Sequence, residues 1–240
     1  MWVASSAGVT RVDPVTLSVV ASVDTVGGIE GIAADAAGIW VSHHQHGSLS
    51  LIDPASNVVV ETLPIAAPGP AGPMDPYVVG DDIWIPFGTG HAVVRVDSDH
   101  NVSTIPLPAN SIGPVLALAD AVWMPSVDGM LRIDPATNEV TVHPPTPGGD
   151  ELQVGAPLPT TFGQYGGIGA VVIDGALWFT TTFEDVIVDR GDLHTDDVLA
   201  IAPIRGGRPR NMIKFENALW VMSEEGGSLE RIPLEQITRQ

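Results

Sequence analysis

An all-β fold of repeated four-stranded antiparallel units is the class this sequence predicts, and three observations carry the prediction. The six tryptophans, Trp2, Trp40, Trp84, Trp123, Trp178 and Trp220, each sit inside a short apolar run. Their spacings of 38, 44, 39, 55 and 42 residues lie in or near the period of about 40–50 residues that marks a propeller blade. Each tryptophan run leads, across a polar gap, to a second run ending in or near Asp-Pro and then to a third. These units predict a six-bladed β-propeller in one domain over 1–240, with blades near 1–27, 28–66, 74–108, 113–145, 167–206 and 210–240.

The second unit shows each element in turn. Gly31-Ile32-Ala33-Ala34 reads as a short inner strand, Asp35-Ala36-Ala37-Gly38 as a tight turn, and Ile39-Trp40-Val41-Ser42 as a second strand. Ser48-Leu49-Ser50-Leu51-Ile52 alternates as a third strand, and 58–63 forms a fourth after Asp53-Pro54-Ala55-Ser56-Asn57. Asp at the first corner of a type I turn accepts backbone two residues on, while Pro pre-sets the next φ. Asp13, Asp53 and Asp134 are therefore expected to be structural, with Asn57 and Asn138 in the left-handed conformation.

Loop lengths set the phase of the blade. The gap before each tryptophan strand and the Asp-Pro turn are tight, whereas the long, variable connection precedes the inner strand. The tryptophan strand is then second from the centre. In this phase the first blade lacks its inner strand and the last blade lacks its fourth, and an exposed edge of that kind invites pairing with a second copy. A monomer or an edge-paired dimer is expected.

Composition excludes several function classes. The 240 residues carry a formal charge of −19, from 29 acidic residues against nine arginines and Lys214. Such a surface repels phosphate backbones and anionic lipid, so neither nucleic acid nor membrane is an expected partner, and cations or small neutral ligands remain. With no cysteine, disulfides, thiolate catalysis and zinc–thiolate sites are excluded. No apolar run approaches the roughly 18–20 residues of a membrane helix, and Met1-Trp2-Val3 enters a repeat strand without a signal-peptide leader. A soluble protein is expected, with the compartment open between secreted, periplasmic and cytoplasmic.

Function is sought where the repetition breaks. Insertions at 144–167 and 180–197 flank one sector of the face that carries the blade-to-blade loops, and long loops in a compact domain commonly serve function. The second, from Glu184 to Asp197, reads either as a calcium-holding loop or as a solvated acidic loop. Arg190-Gly191-Asp192 within it is short enough to be chance.

Aligned on the tryptophans, the residues opening the inner strands are Glu30, Asp75, Pro114, Gly169 and Asn211. They should converge at the channel mouth, where Glu30, Asp75 and Asn211 could cage a divalent cation, Mg or Ca, or each could bind neighbouring backbone instead. Histidine supplies a further cluster. Ser42-His43-His44-Gln45-His46 and His91 fall in loops of the same face, and imidazole titrates near neutrality. Adjacent His43 and His44 point to opposite sides if extended, so His44 with His46, or His43 with His91, can share a site. Glu224 and Glu225, in the last blade's loop, are candidate partners. Neither Gly-x-Ser-x-Gly, a Gly-Lys phosphate loop nor His-Glu-x-x-His is present.

The segments Leu131-Arg132-Ile133-Asp134-Pro135-Ala136-Thr137-Asn138-Glu139-Val140 and Ile39-Trp40-Val41-Ser42 resemble units of bacterial YncE/YVTN-type propellers. Ala176-Leu177-Trp178-Phe179-Thr180 resembles the Leu-Trp-Phe-Thr-Glu strands of the streptogramin (virginiamycin B) lyase group. The lyase resemblance implies a magnesium-dependent elimination that opens a cyclic depsipeptide, with His and Glu at the channel mouth. Thr181 stands where that strand usually carries Glu, and His43 takes the matching place in the second blade, so no catalytic residue transfers by motif. The six-bladed lactonases with a central calcium are a second similar group, consistent with Glu30, Asp75 and Asn211.

The sequence thus leads to a metal-assisted lyase or hydrolase acting on a small or cyclic ester-like molecule. Its cation lies near Glu30, Asp75 and Asn211, and its base comes from His43, His44, His46 or His91, with Glu224 in support. The alternative is a non-catalytic propeller that binds a small ligand or a protein through its long loops.

Overall fold

The computed structural model describes residues 1–5, 8–13, 15–16, 18–69, 72–111, 114–118, 121–126, 129–143, 170–173, 176–180, 186–189, 200–203, 209–223 and 228–236. Among them lie six antiparallel sheets of consecutive strands. Sheet 1 holds β1 (Trp2–Ser5), β2 (Gly8–Val12) and β3 (Val19–Val23). Sheet 2 holds β4 (Ile29–Ala34), β5 (Ile39–His43), β6 (Ser48–Asp53) and β7 (Val58–Pro64). Sheet 3 holds β8 (Tyr77–Val79), β9 (Asp82–Pro86), β10 (Ala92–Val96) and β11 (Val102–Pro106).

The remaining sheets belong to the second of two compact units, 1–111 and 112–240. Sheet 4 holds β12 (Leu116–Leu118), β13 (Ala121–Ser126), β14 (Gly129–Ile133) and β15 (Val140–His143). Sheet 5 holds β16 (Ala170–Ile173), β17 (Ala176–Thr180), β18 (Val186–Asp189) and β19 (Ala200–Pro203). Sheet 6 holds β20 (Pro209–Phe215), β21 (Ala218–Ser223) and β22 (Ser228–Pro233). Among the described residues the first and last sheets have three strands and the others four. Among the described residues no helix is long and apolar enough to cross a membrane.

Turn chemistry is as the sequence dictates. The carboxylates of Asp13, Asp53 and Asp134 accept the backbone N–H two residues on, from Val15 (2.8 Å), Ala55 (3.0 Å) and Ala136 (2.8 Å). Asn57 and Asn138 close their turns at φ 58 and 60, the left-handed conformation that Asn tolerates. Hydrogen bonds hold all three carboxyls below the usual range: chiefly the Thr16 N–H for Asp13, the Ser56 hydroxyl for Asp53 and the Ala136 N–H for Asp134.

Alternation along β5 and β6 builds two layers of core in the first unit. Ile39, Val41 and Ile52 pack with Val9 and Val23 of sheet 1. Trp40, Leu49 and Leu51 pack with Ile83, Ile85, Val94 and Val96 of sheet 3. Trp40 also donates its indole N–H to Asp35 (2.9 Å), whose other oxygen accepts the Ala37 and Gly38 N–H groups, so one carboxylate ties the turn to the core.

A regularity beyond the tryptophans accompanies them. Arg11, Arg95, Arg132 and Arg231 stand directly across the ladder from Trp2, Trp84, Trp123 and Trp220. The guanidinium carbons of Arg11 and Arg95 lie 5.5 and 5.3 Å from the ring centroids of Trp2 and Trp84, within cation–π range. Arg11 further binds the Pro54 carbonyl (2.7 Å) and Asn57 Oδ1 (3.0 Å), joining sheet 1 to the outer turn of sheet 2.

Two expectations are corrected. His43 is the last residue of β5 and fully buried, not a loop residue, because its ring finds partners inside the sheet. The segment read as one loop from Glu184 to Asp197 contains β18, a β-branched run paired with β17 and β19. The insertion at 144–167 and the rest of the second insertion after Thr180 lie outside the described residues.

Candidate active site

The first unit brings Glu30, Asp75 and His44 into one neighbourhood. Glu30 is the second residue of β4 and exposed. Asp75 lies two residues before β8 rather than opening it, and its segment is fixed by Met74 N–H donating to the Pro86 carbonyl (2.9 Å). The two segments touch because Gly31 has no side chain: a Cβ there would meet Asp75 Oδ1 and lie 2.7 Å from Asp75 Cα and 2.8 Å from Pro76 Cδ. Backbone can approach backbone this closely only at glycine.

His44 is held to both segments. Its N–H donates to the Gly28 carbonyl (2.8 Å), and its Nδ1 lies 3.2 Å from the Pro73 carbonyl. Gly28 and Pro73 each stand two residues before a candidate carboxylate, about 7 Å of extended chain. Since a carbonyl only accepts, Nδ1 carries the hydrogen and Nε2 is the basic nitrogen. Gly72 allows the close approach: a Cβ there would meet the His44 carbonyl oxygen and lie 2.8 Å from its carbon.

Electrostatics mark the carboxylate pair. Burial, and then the Glu30 charge, raise the Asp75 carboxyl to about 6. Burial and the Asp75 charge push the Tyr77 phenol above its ordinary value. A desolvated carboxylate facing a second like charge recruits either a proton or a cation.

The other candidate residues are distributed differently. His43 Nδ1 lies 2.9 Å from the Gly27 carbonyl and Nε2 lies 2.9 Å from Ser50 Oγ, so both ring nitrogens are engaged. Burial holds its pKa below the ordinary value. His46 is exposed in the following turn, where its N–H donates to the His43 carbonyl (3.1 Å). His91 is exposed at the end of the short helical turn Gly88–Gly90, at φ 48, and its carbonyl accepts the Leu107 N–H (2.7 Å). Asn211 lies in β20 of the second unit, with its side chain outside the description. Glu224 and Glu225 lie outside the described residues. Among the described residues, no group of three or more His, Asp or Glu is arranged to hold a metal ion.

A histidine outside these candidates also engages a carboxylate. His100, at φ 63 in the outer turn of sheet 3, binds Glu61 of β7 through Nδ1 (2.5 Å) and stands edge-on to Trp40 at 5.2 Å. Its turn, Asp97-Ser98-Asp99-His100-Asn101, takes the place of Asp-Pro, and that substitution was the available signal.

No protein-family model matches the chain, and no curated protein matches its sequence. Solved structures do match. A streptogramin B lyase superposes with a TM-score of 0.64 at 19% identity over 89% of this chain and 68% of that one. The fold is a β-propeller. A virginiamycin B lyase from Staphylococcus aureus superposes on this propeller with a TM-score of 0.64 at 20% identity, over 89% of this chain and 69% of that one. Among the matching structures is a catalytically inactive His-to-Ala variant of that lyase with quinupristin. BamB from Moraxella catarrhalis matches 95% of the propeller and 67% of its own chain, with a TM-score of 0.59 at 16% identity.

The sign of the pH dependence follows from these groups. Asp75 binds its proton more tightly folded than unfolded, so its contribution to stability falls as pH rises from about 4 to about 6. Asp75→Asn should therefore raise the unfolding free energy at pH 7 by up to about 3 kcal/mol, with the gain vanishing towards pH 4. His43 acts oppositely, because its depressed pKa makes stability fall as pH drops below 6.5. That slope is common to wild type and Asp75→Asn, so urea denaturation of the two across pH 4–7.5 isolates Asp75. An unchanging difference would contradict the burial of the Asp75 carboxylate near the Glu30 charge.

Proposed function

We propose that the protein is a lyase or hydrolase of small or cyclic ester-like molecules, working where Glu30, Asp75 and His44 converge, with each of the six sheets serving as one blade. The observation that carries this reading is the desolvated Asp75 carboxylate, with the Glu30 charge near it, beside a histidine whose tautomer is fixed. The lyase neighbours, one inactivated by loss of a histidine, support it at the level of fold.

The donor set suits a hard divalent cation. Glu30 and Asp75 supply carboxylate oxygens, and water would complete the shell. Such a cation would neutralise the pair and polarise a substrate carbonyl. The chain's own residues do the rest. His44 Nε2 takes a proton from the substrate or from water, while the Pro73 carbonyl holds the imidazolium through Nδ1–H and keeps the ring oriented. Tyr77, kept protonated, remains a hydrogen-bond donor beside Asp75.

Turnover of a panel of small lactones and one cyclic depsipeptide, with Mg²⁺ or Ca²⁺ and then with chelator, tests the reading. His44→Ala should lower kcat by about 10²-fold or more, the usual worth of a general base, and Glu30→Gln should abolish the response to cation. Binding of a panel member without turnover would replace this reading with that of a non-catalytic binding propeller.

A further inference from the structure

Sheet 2 buries a polar chain that the repeat does not need for packing. By alternation, His43 continues the row of Ile39 and Val41, and Ser50 continues that of Ile52, on the side facing sheet 1. Both are buried, at 0% and 1% exposure. Three residues after the tryptophan and three before the Asp of the outer turn, the third unit has Phe87, just past β9, and Val94 of β10 instead, both apolar and buried. Polar groups at such positions cost desolvation unless they are fully bonded.

The protons of this chain are fixed by its partners. The Gly27 carbonyl accepts, so His43 Nδ1 carries the hydrogen, and Nε2 is left to accept from the Ser50 hydroxyl at 2.9 Å. Ser50 has one proton and spends it there, so Thr62 Oγ1, 3.1 Å away, donates to Ser50 Oγ. A hydroxyl bonded to an imidazole that a third group orients is the arrangement of an activated nucleophile.

Space for a substrate lies over it. A cavity of about 220 Å³ is lined by Asp24, Thr25, Val26, Ser50, Val59 and Thr62. Of its lining, Asp24, Val26 and Thr62 are exposed. In its wall, the Thr25 hydroxyl is buried without a hydrogen-bond partner, a donor left for something that enters.

We propose that Ser50 is an acyl-accepting nucleophile with His43 as its base, in a second site that hydrolyses small carboxylic esters of short acyl chain. Ser50 Oγ bonds to the ester carbonyl carbon as its proton passes to His43 Nε2. The Thr25 hydroxyl donates to the carbonyl oxygen as charge develops there. The bond to the alcohol oxygen then breaks, and His43 returns the proton to the leaving alcohol. Water, deprotonated by the same nitrogen, attacks the acyl-serine, releasing the acid and restoring Ser50. Burial keeps His43 in the neutral form this role needs.

The test uses the full chain and a dialkyl fluorophosphate, which forms a P–O bond to serine as P–F breaks and HF leaves. Intact mass and peptide mapping should show one adduct, on Ser50, unaffected by chelator, and p-nitrophenyl acetate should release a burst of about one equivalent of p-nitrophenol. Thr25→Val should slow acylation about a hundredfold. The double variant His43→Phe with Ser50→Val copies the Phe87 and Val94 pair, so it should melt no lower than wild type and take no label. No adduct on Ser50 in folded wild type, or undiminished labelling of the double variant, overturns the proposal.

Discussion

Trp40→Ala should destabilise the protein by about 3–5 kcal/mol, the cost of deleting a buried aromatic side chain. Trp40 is 1% exposed and lies between the ladder of sheet 2 and Ile83, Ile85 and Val94 of sheet 3. Its removal also leaves Asp35 without the indole N–H (2.9 Å) and His100 without the ring it meets edge-on. For a chain of this length each kcal/mol moves the melting temperature by roughly 2–4 °C, so calorimetry should show a fall on the order of 10 °C. Trp40→Phe, which keeps most of the volume and loses the Asp35 bond, should cost well under half as much. A loss below about 1 kcal/mol for Trp40→Ala would show that sheets 2 and 3 do not share this core.

Gly31→Ala should have the second largest effect, and it acts on stability and function together. The added methyl meets Asp75 Oδ1 and approaches Asp75 Cα to 2.7 Å and Pro76 Cδ to 2.8 Å, distances that require backbone to move. Overpacking of this kind costs about 1–3 kcal/mol. Because the displaced residue is Asp75 itself, the carboxylate pair separates, and the response to cation should weaken beyond what the loss of stability explains. Asp75→Ala in the same chain removes the Oδ1 contact but leaves those to Cα and Pro76, so the double variant should recover only part of the stability. Urea denaturation of the two single variants and the double variant reads this coupling directly. Wild-type stability in Gly31→Ala would contradict the close approach of β4 to the segment before β8.

The parts of the fold visible in the sequence are those that local chemistry fixes. Asp13, Asp53 and Asp134 accept hydrogen bonds where an Asp-Pro turn must supply them, and Asn57 and Asn138 take the positive φ such turns need. Trp40 and Trp84 are buried because each blade strand carries one large side chain into the gap between sheets. The Trp–Arg pairs across the ladder were equally available, since each Arg stands a fixed nine or eleven residues after its tryptophan.

The candidate site was legible only in part, because contact across chain segments depends on what glycine omits. Glu30 and Asp75 aligned on the tryptophan register, yet only the absence of Cβ at Gly31 and Gly72 lets their segments and His44 meet. His43, His44 and His46 are indistinguishable as a string. The structure sorts them by partner: Gly27 and Ser50 enclose His43, Pro73 fixes the tautomer of His44, and His46 faces solvent. Ser50 reads in the sequence as one more alternating strand residue, and it acquires meaning only from the His43 ring bonded to it.

Calorimetric titration of wild type, Glu30→Gln and Asp75→Asn with Mg²⁺ and Ca²⁺ at pH 7.5 tests the central claim most directly. One cation per chain should bind wild type, binding should be lost or weakened at least tenfold in each variant, and Asp75→Asn should melt no lower than wild type. No binding to wild type, or equal binding by all three, would contradict a cation-assisted site at Glu30 and Asp75.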